Sequence, residues 1–317
     1  LIFVKPEASA IRRDAFSPGL AQSWSLPSAN RFAHKLTKKQ TRLQASRQNL
    51  MLVDIIRALL MLSLIMLLML PAAAPAAGID AVMRSVVSLS GRNGTGEMIF
   101  ATAFMVEAPG RNEVWLVSSA HSFNSIAEDF ARVNLRRCER NIYFPLPLQV
   151  QIRRSGRALY VSHANLDLAA IKIELPGEAD YCVLSRDFIA DERQLARANA
   201  GTGSQVVIPG FPYGESCNEA GFAFARSGVI SSFPLRPANL YPVFYVDFEV
   251  FAGYSGAPVI LPGSDGGALL LGMVLEEVFL EELRPQKGRK HLRTRRGLGL
   301  AKVLSAPSIA GFIGSLR

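Results

Sequence analysis

Between Phe248 and Ile260 the chain reads Phe-Glu-Val-Phe-Ala-Gly-Tyr-Ser-Gly-Ala-Pro-Val-Ile. Ser255 lies in a run of small residues that is flanked on both sides by apolar, strand-like segments. Glycines remove the Cβ atoms that block a tight reversal. Such a turn therefore leaves the hydroxyl free and lets the amides of Gly253 and Ser255 point the same way. The pattern is typical of a nucleophile beside two donors for a developing oxyanion.

Two other interpretations of this turn compete with a nucleophile. A turn rich in Gly, Ser and Pro is more often a plain loop. The Gly-x-Ser-x-Gly elbow of an α/β-hydrolase needs glycine two residues after the serine, and the residue there is Ala257. The elbow is therefore excluded, and the choice between a loop and a nucleophile depends on partner residues elsewhere in the chain.

Short apolar segments separated by turns dominate the region before this turn. Residues 81–89, 98–106 and 114–119 are predicted to be strands. Short strands at this spacing favour a β-barrel or a sandwich. His121 follows the third segment within Ser-Ala-His-Ser. A histidine after a buried strand is more often structural, so His121 taken alone does not indicate a site.

An aspartate, Asp167, stands just ahead of the alternating segment 168–173. The alternative role for it is that of an ordinary turn aspartate. His163, four residues earlier, is interpreted as structural. The chain order His121, Asp167, Ser255 is one of several orders used by Ser-His-Asp hydrolases, and it differs from the Asp-His-Ser and Ser-Asp-His orders. Three weak motifs in this order favour a catalytic triad.

Together these motifs resemble the chymotrypsin-like (trypsin-like) serine proteases. Gly-Tyr-Ser-Gly-Ala-Pro is similar to their nucleophile motif, Ser-Ala-His to the motif of their base, and Asp-Leu-Ala-Ala-Ile to the motif of their acid. The lack of Cys and Asp around the serine resembles the bacterial branch, which includes high-temperature-requirement and glutamyl-endopeptidase types. Segments 203–214 and 224–232 are similar to the family's following strands. The resemblance covers residues 81–316.

The resemblance implies an all-β fold of two antiparallel six-stranded-type β-barrels with a short C-terminal helix over 307–316. His121 is then the general base, Asp167 orients it, and Ser255 is the nucleophile. The amides of Gly253 and Ser255 form the oxyanion hole. The expected substrate is a protein or peptide, and the chemistry requires no metal and no organic cofactor.

The resemblance also predicts how residues 77–317 are divided into domains. Residues 77–180 are expected to form the N-terminal barrel, 181–202 a linker, and 203–317 the C-terminal barrel with its closing helix. Tyr254 stands where the family usually has an acidic or amide residue.

Substrate contacts are expected from the strands beside the cleft, which are predicted at 269–276 and 297–303. The residues assigned to them are Val274, Leu275 and Glu276. Glu249, six residues before Ser255, would favour a basic substrate side chain.

A dense charge run follows these residues. Four glutamates between 276 and 282 precede seven Lys and Arg residues within 284–296. Such runs are usually solvated loops. Its predicted place beside the cleft also suggests an acidic substrate or a loop prone to autolysis, which is opposite to the indication from Glu249.

The positive charge is concentrated at the N-terminus. Residues 1–50 hold nine Lys and Arg against two acidic residues, so +7 of the net +9 lies there. The remainder gives no support for nucleic-acid binding. Residues 1–50 are predicted to be an unstructured or misassigned extension.

Residues 51–76 are predicted to be a secretory signal peptide. The apolar block 58–70 is followed by Pro and Ala residues that contain an Ala-Pro-Ala site at 74–76. A membrane span needs about 20 apolar residues, and the block is shorter. The predicted location is therefore periplasmic or secreted. The alternative is an uncleaved leader that anchors the protein in a membrane through residues 55–77.

Three cysteines, Cys138, Cys182 and Cys217, fit an exported protein with at most one disulfide. A Cys182–Cys217 pair is preferred, because both lie on the stretch that joins the two halves. The alternative is that all three are buried small hydrophobic residues. None has metal-ligand spacing to another Cys or His.

A second class of function stays open. A catalytically silent protein of the same fold would bind peptides or a partner, and a distorted turn around Tyr254 would permit this even with the triad present. A hydrogen bond between Ser255 Oγ and His121 Nε2 would favour the enzyme, and separated side chains would favour the binder.

Overall fold

The structure, a computed structural model, describes residues 51, 55–62, 78–109, 113–263, 266–284 and 292–316. The chain divides into two units, Leu1–Ala72 and Ala73–Arg317. Residues 55–62 of the first unit are helical. The extension 1–50 and most of the predicted leader lie outside the described residues. None of the described helices combines the length and the hydropathy that a membrane crossing needs.

The second unit begins with helix Ile79–Ser85 and an antiparallel sheet. Its strands are β1 Val86–Arg92, β2 Met98–Glu107, β3 Glu113–Ser118, β4 Phe130–Glu139, β5 Ile142–Gln151, β6 Arg153–Arg154, β7 Arg157–Ala158, β8 Val161–Ser162 and β9 Ala169–Glu174. Seven of them pair in the order β5-β4-β1-β2-β3-β9-β8, and β6 and β7 form a separate hairpin. A short helix, Ala120–Ser125, follows β3.

The C-terminal half is a closed antiparallel barrel. Its strands are β10 Gln205–Gly210, β11 Phe224–Ile230, β12 Val243–Asp247, β13 Pro258–Pro262, β14 Ala268–Arg284 and β15 Leu292–Ser305. They close in the order β10-β11-β12-β15-β14-β13. Helix Ala306–Ser315 follows and buries Ile309, Phe312 and Ile313. The predicted all-β class, with a C-terminal barrel and a short closing helix, is confirmed.

Two details of the N-terminal half differ from the prediction. Residues 81–89 were expected to be a strand, but the chain is helical over Ile79–Ser85 and extended only from Val86. Ile79, Val82, Met83 and Val86 recur at helical spacing and pack on one hydrophobic core. The apolar content of the segment therefore reflects one helix face rather than a strand.

The second detail is the closure of the first sheet. The N-terminal half was expected to be a barrel, and its ladder is a seven-stranded sheet with β5 and β8 at its ends. β8 has two residues and β5 has ten. A ladder closes only where two edges can pair along their length, and β8 is too short to do so.

The predicted linker 181–202 carries structure of its own. It contains the 3₁₀ turn Arg186–Phe188 and helix Glu192–Arg197. Asp191 caps this helix, because its side chain accepts from the amide of Gln194 while the Gln194 side chain accepts from the amide of Asp191. Leu184 also bridges to Val106 of β2, so the segment runs along the first sheet.

β2 packs on both of its faces and so joins the two halves. Ala103 and Met105 belong to the core of the first sheet, whereas Phe104 and Val106 belong to the core that continues into the barrel. Successive strand residues point to opposite faces. Thr102 therefore shares the face of Phe104 and points towards the barrel.

The charge run lies largely on a long hairpin. β14 and β15 stay paired as far as Arg284 and Leu292, and residues 285–291 lie outside the described part of the chain. The Arg295 guanidinium lies 3.7 Å from the centre of the Phe279 ring. The solvated loop expected over 284–296 is therefore partly strand.

The cysteines do not form the expected disulfide. All three are free thiols; Cys138 and Cys217 are exposed and Cys182 is half-buried. The amide of Cys182 bonds to Arg84 O, whereas the amide of Cys217 bonds to Phe222 O within its own turn. The expected Cys182–Cys217 pair is therefore not formed.

Candidate active site

His121 and Asp167 form a hydrogen-bonded pair at the edge of the first sheet. His121 lies on the helix after β3, and Asp167 lies two residues before β9, which pairs with β3. His121 Nδ1 lies 2.5 Å from Asp167 Oδ2, and the amide of His121 donates to Oδ1 at 2.8 Å. With a carboxylate on Nδ1, the ring carries its proton there and leaves Nε2 as an acceptor.

The environment of Asp167 keeps its carboxylate charged. Burial acts to raise the pKa of Asp167, but the hydrogen bonds from the ring and the amide of His121 outweigh burial. The pKa of Asp167 therefore lies below the ordinary value for aspartate. A charged carboxylate is the form that orients a histidine and stabilises its protonated state.

His163 shapes the loop that leads to Asp167. Its Nδ1 accepts from the amides of Asn165 and Leu166, each at 3.1 Å. Its ring lies 5.9 Å from that of Phe312, edge to face. These contacts agree with the structural role expected for it.

Hydrogen bonds fix the main chain of the turn from Ala252 to Ser255. Each of its four carbonyls has a donor: Tyr213 N for residue 252, Thr102 Oγ1 for 253, Ala257 N for 254 and Thr102 N for 255. The distances are 2.5, 2.7, 2.9 and 2.9 Å in that order. Peptide units are planar and trans, so fixing each carbonyl also fixes the direction of the amide that follows it.

Two amides of this turn are left as unused donors. The amides of Tyr254 and Gly256 donate to Phe251 O and Val274 O. Within the described part of the chain, the amides of Gly253 and Ser255 have no acceptor. Unused amides two residues apart, beside a serine hydroxyl, are the donor pattern of an oxyanion hole.

Glycine is needed at two positions of the turn. Gly253 has φ +102° and Gly256 has φ +88°, a region in which side chains are strained. A Cβ on Gly253 would overlap Phe211 O, and one on Gly256 would overlap Thr102 O and Ser118 Oγ. Ser118 stands three residues before His121, so this close approach brings the histidine and the serine turn together.

The serine hydroxyl does not bond to the histidine. Ser255 Oγ donates to Leu275 O at 2.9 Å. Among the described residues, the nearest hydrogen-bond partner of His121 Nε2 is Ser119 Oγ at 3.5 Å, which is too long for a strong bond. The structure therefore brings His121 to Asp167 but holds the Ser255 hydroxyl on β14.

Tyr254 points into the barrel and away from the site. It is fully buried, and its hydroxyl has no hydrogen-bond partner within the described ranges. Its ring packs edge to face on Phe248 at 5.0 Å, and the Arg226 guanidinium lies 5.5 Å from its centre. Burial raises the pKa of Tyr254, and the cation of Arg226 opposes this effect. The hydroxyl of Tyr254 thus makes no hydrogen bond that would hold the turn.

The residues expected to contact substrate lie in different places. Val274 is buried, and its backbone pairs with Gly256 and Ala257. Leu275 presents its carbonyl to Ser255, and Glu276 is exposed in an ion pair with Lys302 at 2.9 Å.

Glu249 lies elsewhere and has a different neighbour. Its carbonyl accepts from Arg226 at 2.9 Å. It lines a depression of about 340 Å³ together with Arg226 and Asp247. The described lining includes none of His121, Asp167 and Ser255. The preference of Glu249 for a basic substrate side chain therefore stays a prediction.

Thr102 is a site residue that the sequence did not single out. It contacts two carbonyls of the serine turn, yet it stands inside an apolar strand segment with no motif around it. Its proximity to the turn is set by strand pairing and by the strand face.

No cluster of three or more His, Cys, Asp or Glu side chains in the described part of the chain is arranged to hold a metal ion.

Solved structures similar to this chain are serine proteases of the HtrA and chymotrypsin-like types. A serine endoprotease from Yersinia pestis is 15% identical, with 76% of this chain and 67% of that chain covered and a TM-score of 0.45. The HtrA-type protease AlgW, solved with a tripeptide, is 17% identical, with 74% and 60% covered and a TM-score of 0.42. The Rv3671c protease from M. tuberculosis in its active form is 20% identical, with 77% and 90% covered and a TM-score of 0.43.

Likenesses at these identities and TM-scores support no argument about function. No family model and no curated protein sequence matches the chain. The chain spans 60% of the length of the AlgW chain that it matches. Function is therefore argued from the site itself.

Proposed function

We propose that this protein is a serine endopeptidase that uses Ser255, His121 and Asp167. The observation that carries the proposal is the pair of unused amides at Gly253 and Ser255, in a turn whose four carbonyls are all bonded. Both amides lie beside the serine hydroxyl without an acceptor among the described residues, as the donors of an oxyanion hole do before a substrate carbonyl binds. The His121–Asp167 pair supports the same chemistry.

The first half of the reaction forms an acyl-enzyme. The Ser255 hydroxyl leaves the Leu275 carbonyl by rotating about χ1, and His121 Nε2 takes its proton as Oγ attacks the scissile carbonyl. The carbonyl oxygen becomes an oxyanion that accepts from the amides of Gly253 and Ser255. His121 then protonates the leaving amine, the carbon–nitrogen bond breaks, and the acyl group stays on Oγ.

Water completes the cycle. His121 Nε2 removes a proton from the water as its oxygen attacks the acyl carbonyl, and the same two amides hold the second oxyanion. The proton returns to Ser255 Oγ as the ester bond breaks, which releases the carboxylic acid. Asp167 stays charged throughout and stabilises the protonated ring of His121.

One observation favours a second candidate, a silent protein that binds peptides. Ser255 Oγ bonds to Leu275 O and makes no described hydrogen bond to His121. In unliganded enzymes catalytic hydrogen bonds are often long and tighten only with substrate. For this reason the endopeptidase is the preferred function.

We also propose that the substrates are proteins or peptides met outside the cytoplasm. The support for the location is the apolar leader pattern within residues 51–76. The alternative of a membrane anchor through 55–77 keeps the same catalytic unit.

The proposed function is tested by incubating fluorescently labelled casein with the full chain and with Ser255→Ala purified in the same way. We expect release of labelled fragments by the wild type and none by the variant, because removal of the nucleophile removes the acyl-enzyme route. Mass spectrometry of the fragments identifies the cut bonds. If both proteins leave casein intact but bind it with the same affinity, the silent binder is correct.

A further inference from the structure

Thr102 makes four hydrogen bonds at the junction between the first sheet and the serine turn. Its hydroxyl donates to Gly253 O at 2.7 Å and lies 3.2 Å from the amide of Phe211, from which it accepts. Its own amide donates to Ser255 O at 2.9 Å, and its carbonyl accepts from Ser118 Oγ at 2.7 Å. The residue is fully buried.

These contacts leave the hydroxyl a single orientation. The amide of Phe211 can only donate, so the Thr102 oxygen accepts there and directs its own proton to Gly253 O. Gly253 is buried, so water does not replace this donor. Tyr213, two residues beyond Phe211, donates to Ala252 O. The Thr102 hydroxyl therefore links Phe211 to Gly253, and the Tyr213 amide makes a second link between the same two segments.

The consequence falls on the two unused amides. The Tyr213 bond to Ala252 O sets the peptide plane that carries the Gly253 amide, and the Thr102 bond to Gly253 O sets the next plane. That next plane carries the Tyr254 amide and lies between the planes of the Gly253 and Ser255 amides. If the hydroxyl is absent, only the bond from the Tyr254 amide to Phe251 O at 3.1 Å still holds this middle plane, and segment 211–213 loses its hydroxyl link to β2. A turn with no donor on Gly253 O is held less firmly at its middle plane, and a tilt of that plane moves the flanking Gly253 and Ser255 amides away from a common point.

We propose that the Thr102 hydroxyl is a positioning group that holds the Gly253 and Ser255 amides in the geometry of an oxyanion hole. This role rests on the proposed function. The side chain of Tyr254, the residue next to the serine, does not hold these amides, because its hydroxyl makes no hydrogen bond to the described residues. The Thr102 hydroxyl holds them from β2, in the N-terminal half of the molecule.

The test compares Thr102→Val, which keeps the shape and removes the hydroxyl, with Thr102→Ser, which keeps the hydroxyl. The readouts are kcat and KM on a casein-derived peptide and the rate of labelling by a fluorophosphonate probe, whose phosphoryl oxygen lies between the same amides. We expect Thr102→Val to lower kcat and the labelling rate by about 10²-fold with KM nearly unchanged. Thr102→Ser should recover most of the loss.

A matched control separates positioning from stability. Ser85 is fully buried, and its hydroxyl donates to Val82 O at 2.8 Å. Ser85→Ala should lower Tm and leave the labelling rate unchanged, since it removes a buried hydroxyl away from the turn. If Thr102→Val does not fold, Thr102→Ala is the second variant without a hydroxyl, and the same loss of kcat is expected.

Two results overturn the inference in distinguishable ways. A labelled wild type with a Thr102→Val variant that is labelled equally fast would leave the endopeptidase standing and remove the role of Thr102. A wild type that is not labelled at all would remove the proposed function and the role of Thr102 with it.

Discussion

Replacing His121 by alanine is expected to lower kcat by about 10⁶-fold, because a serine hydroxyl is a poor nucleophile without an adjacent base. The base is not needed for substrate binding, so KM should change little. The measurement is steady-state hydrolysis of a peptide cut by the wild type. His121 is half-exposed in the first turn of a short helix, and its backbone amide still donates to Asp167 in the variant, so we expect Tm to fall only slightly.

The control for this result is the double variant with Ser255→Ala. Residues that act as one unit are strongly non-additive. The double variant should therefore be no slower than the His121→Ala variant alone. A further large loss in the double variant would show that His121 and Ser255 act separately, and would contradict the triad.

Asp167→Asn is expected to lower kcat by about 10⁴-fold while the shape of the site is kept. The carboxylate accepts from Nδ1 and leaves Nε2 free to take the proton of Ser255. An asparagine amide can donate to Nδ1 instead, which places the ring proton on Nε2 and blocks the base. The measurement is kcat with the same peptide.

Asp191→Asn is a matched control, because asparagine caps a helix as well as aspartate does and Asp191 lies on the segment between the halves. It should retain wild-type kcat. An Asp167→Asn variant that also retained wild-type kcat would remove Asp167 from the reaction.

The depressed pKa of Asp167 adds a test of its environment. The folded state favours the charged form, so the stability that this carboxylate contributes is present above the unfolded pKa of about 3.9. It is lost as the pH falls through the lower folded pKa. The difference in free energy of unfolding between wild type and Asp167→Asn should therefore shrink below pH 3.9, as measured by denaturant titration.

The sequence predicted much of the fold because its signals are local. Short apolar runs bounded by turns identified most strands, and the helix Ala306–Ser315 matched the predicted closing helix. Ile79–Ser85 was missed because a short amphipathic helix with β-branched residues looks like a strand. Closure of the first sheet depends on the length of β8, which local patterns do not define.

The candidate site was predictable only where residue type carries the chemistry. His121, Asp167 and Ser255 have motifs, and the structure brings the first two within 2.5 Å. Three contacts depend instead on tertiary packing. They are the bond from Ser255 to Leu275 O, the bond from Arg226 to the carbonyl of Glu249, and the bonds from Thr102 to the serine turn. The sequence around a threonine in an apolar strand does not indicate which carbonyl its hydroxyl will contact.

The central claim is that Ser255 is an activated nucleophile beside two oxyanion donors. It is tested most directly by labelling the full chain and its Ser255→Ala variant with a fluorophosphonate probe, with the modified peptide identified by mass spectrometry. We expect stoichiometric labelling of the wild type on Ser255 and none of the variant. A folded wild type that stays unlabelled, or labelling that persists in Ser255→Ala, would contradict it.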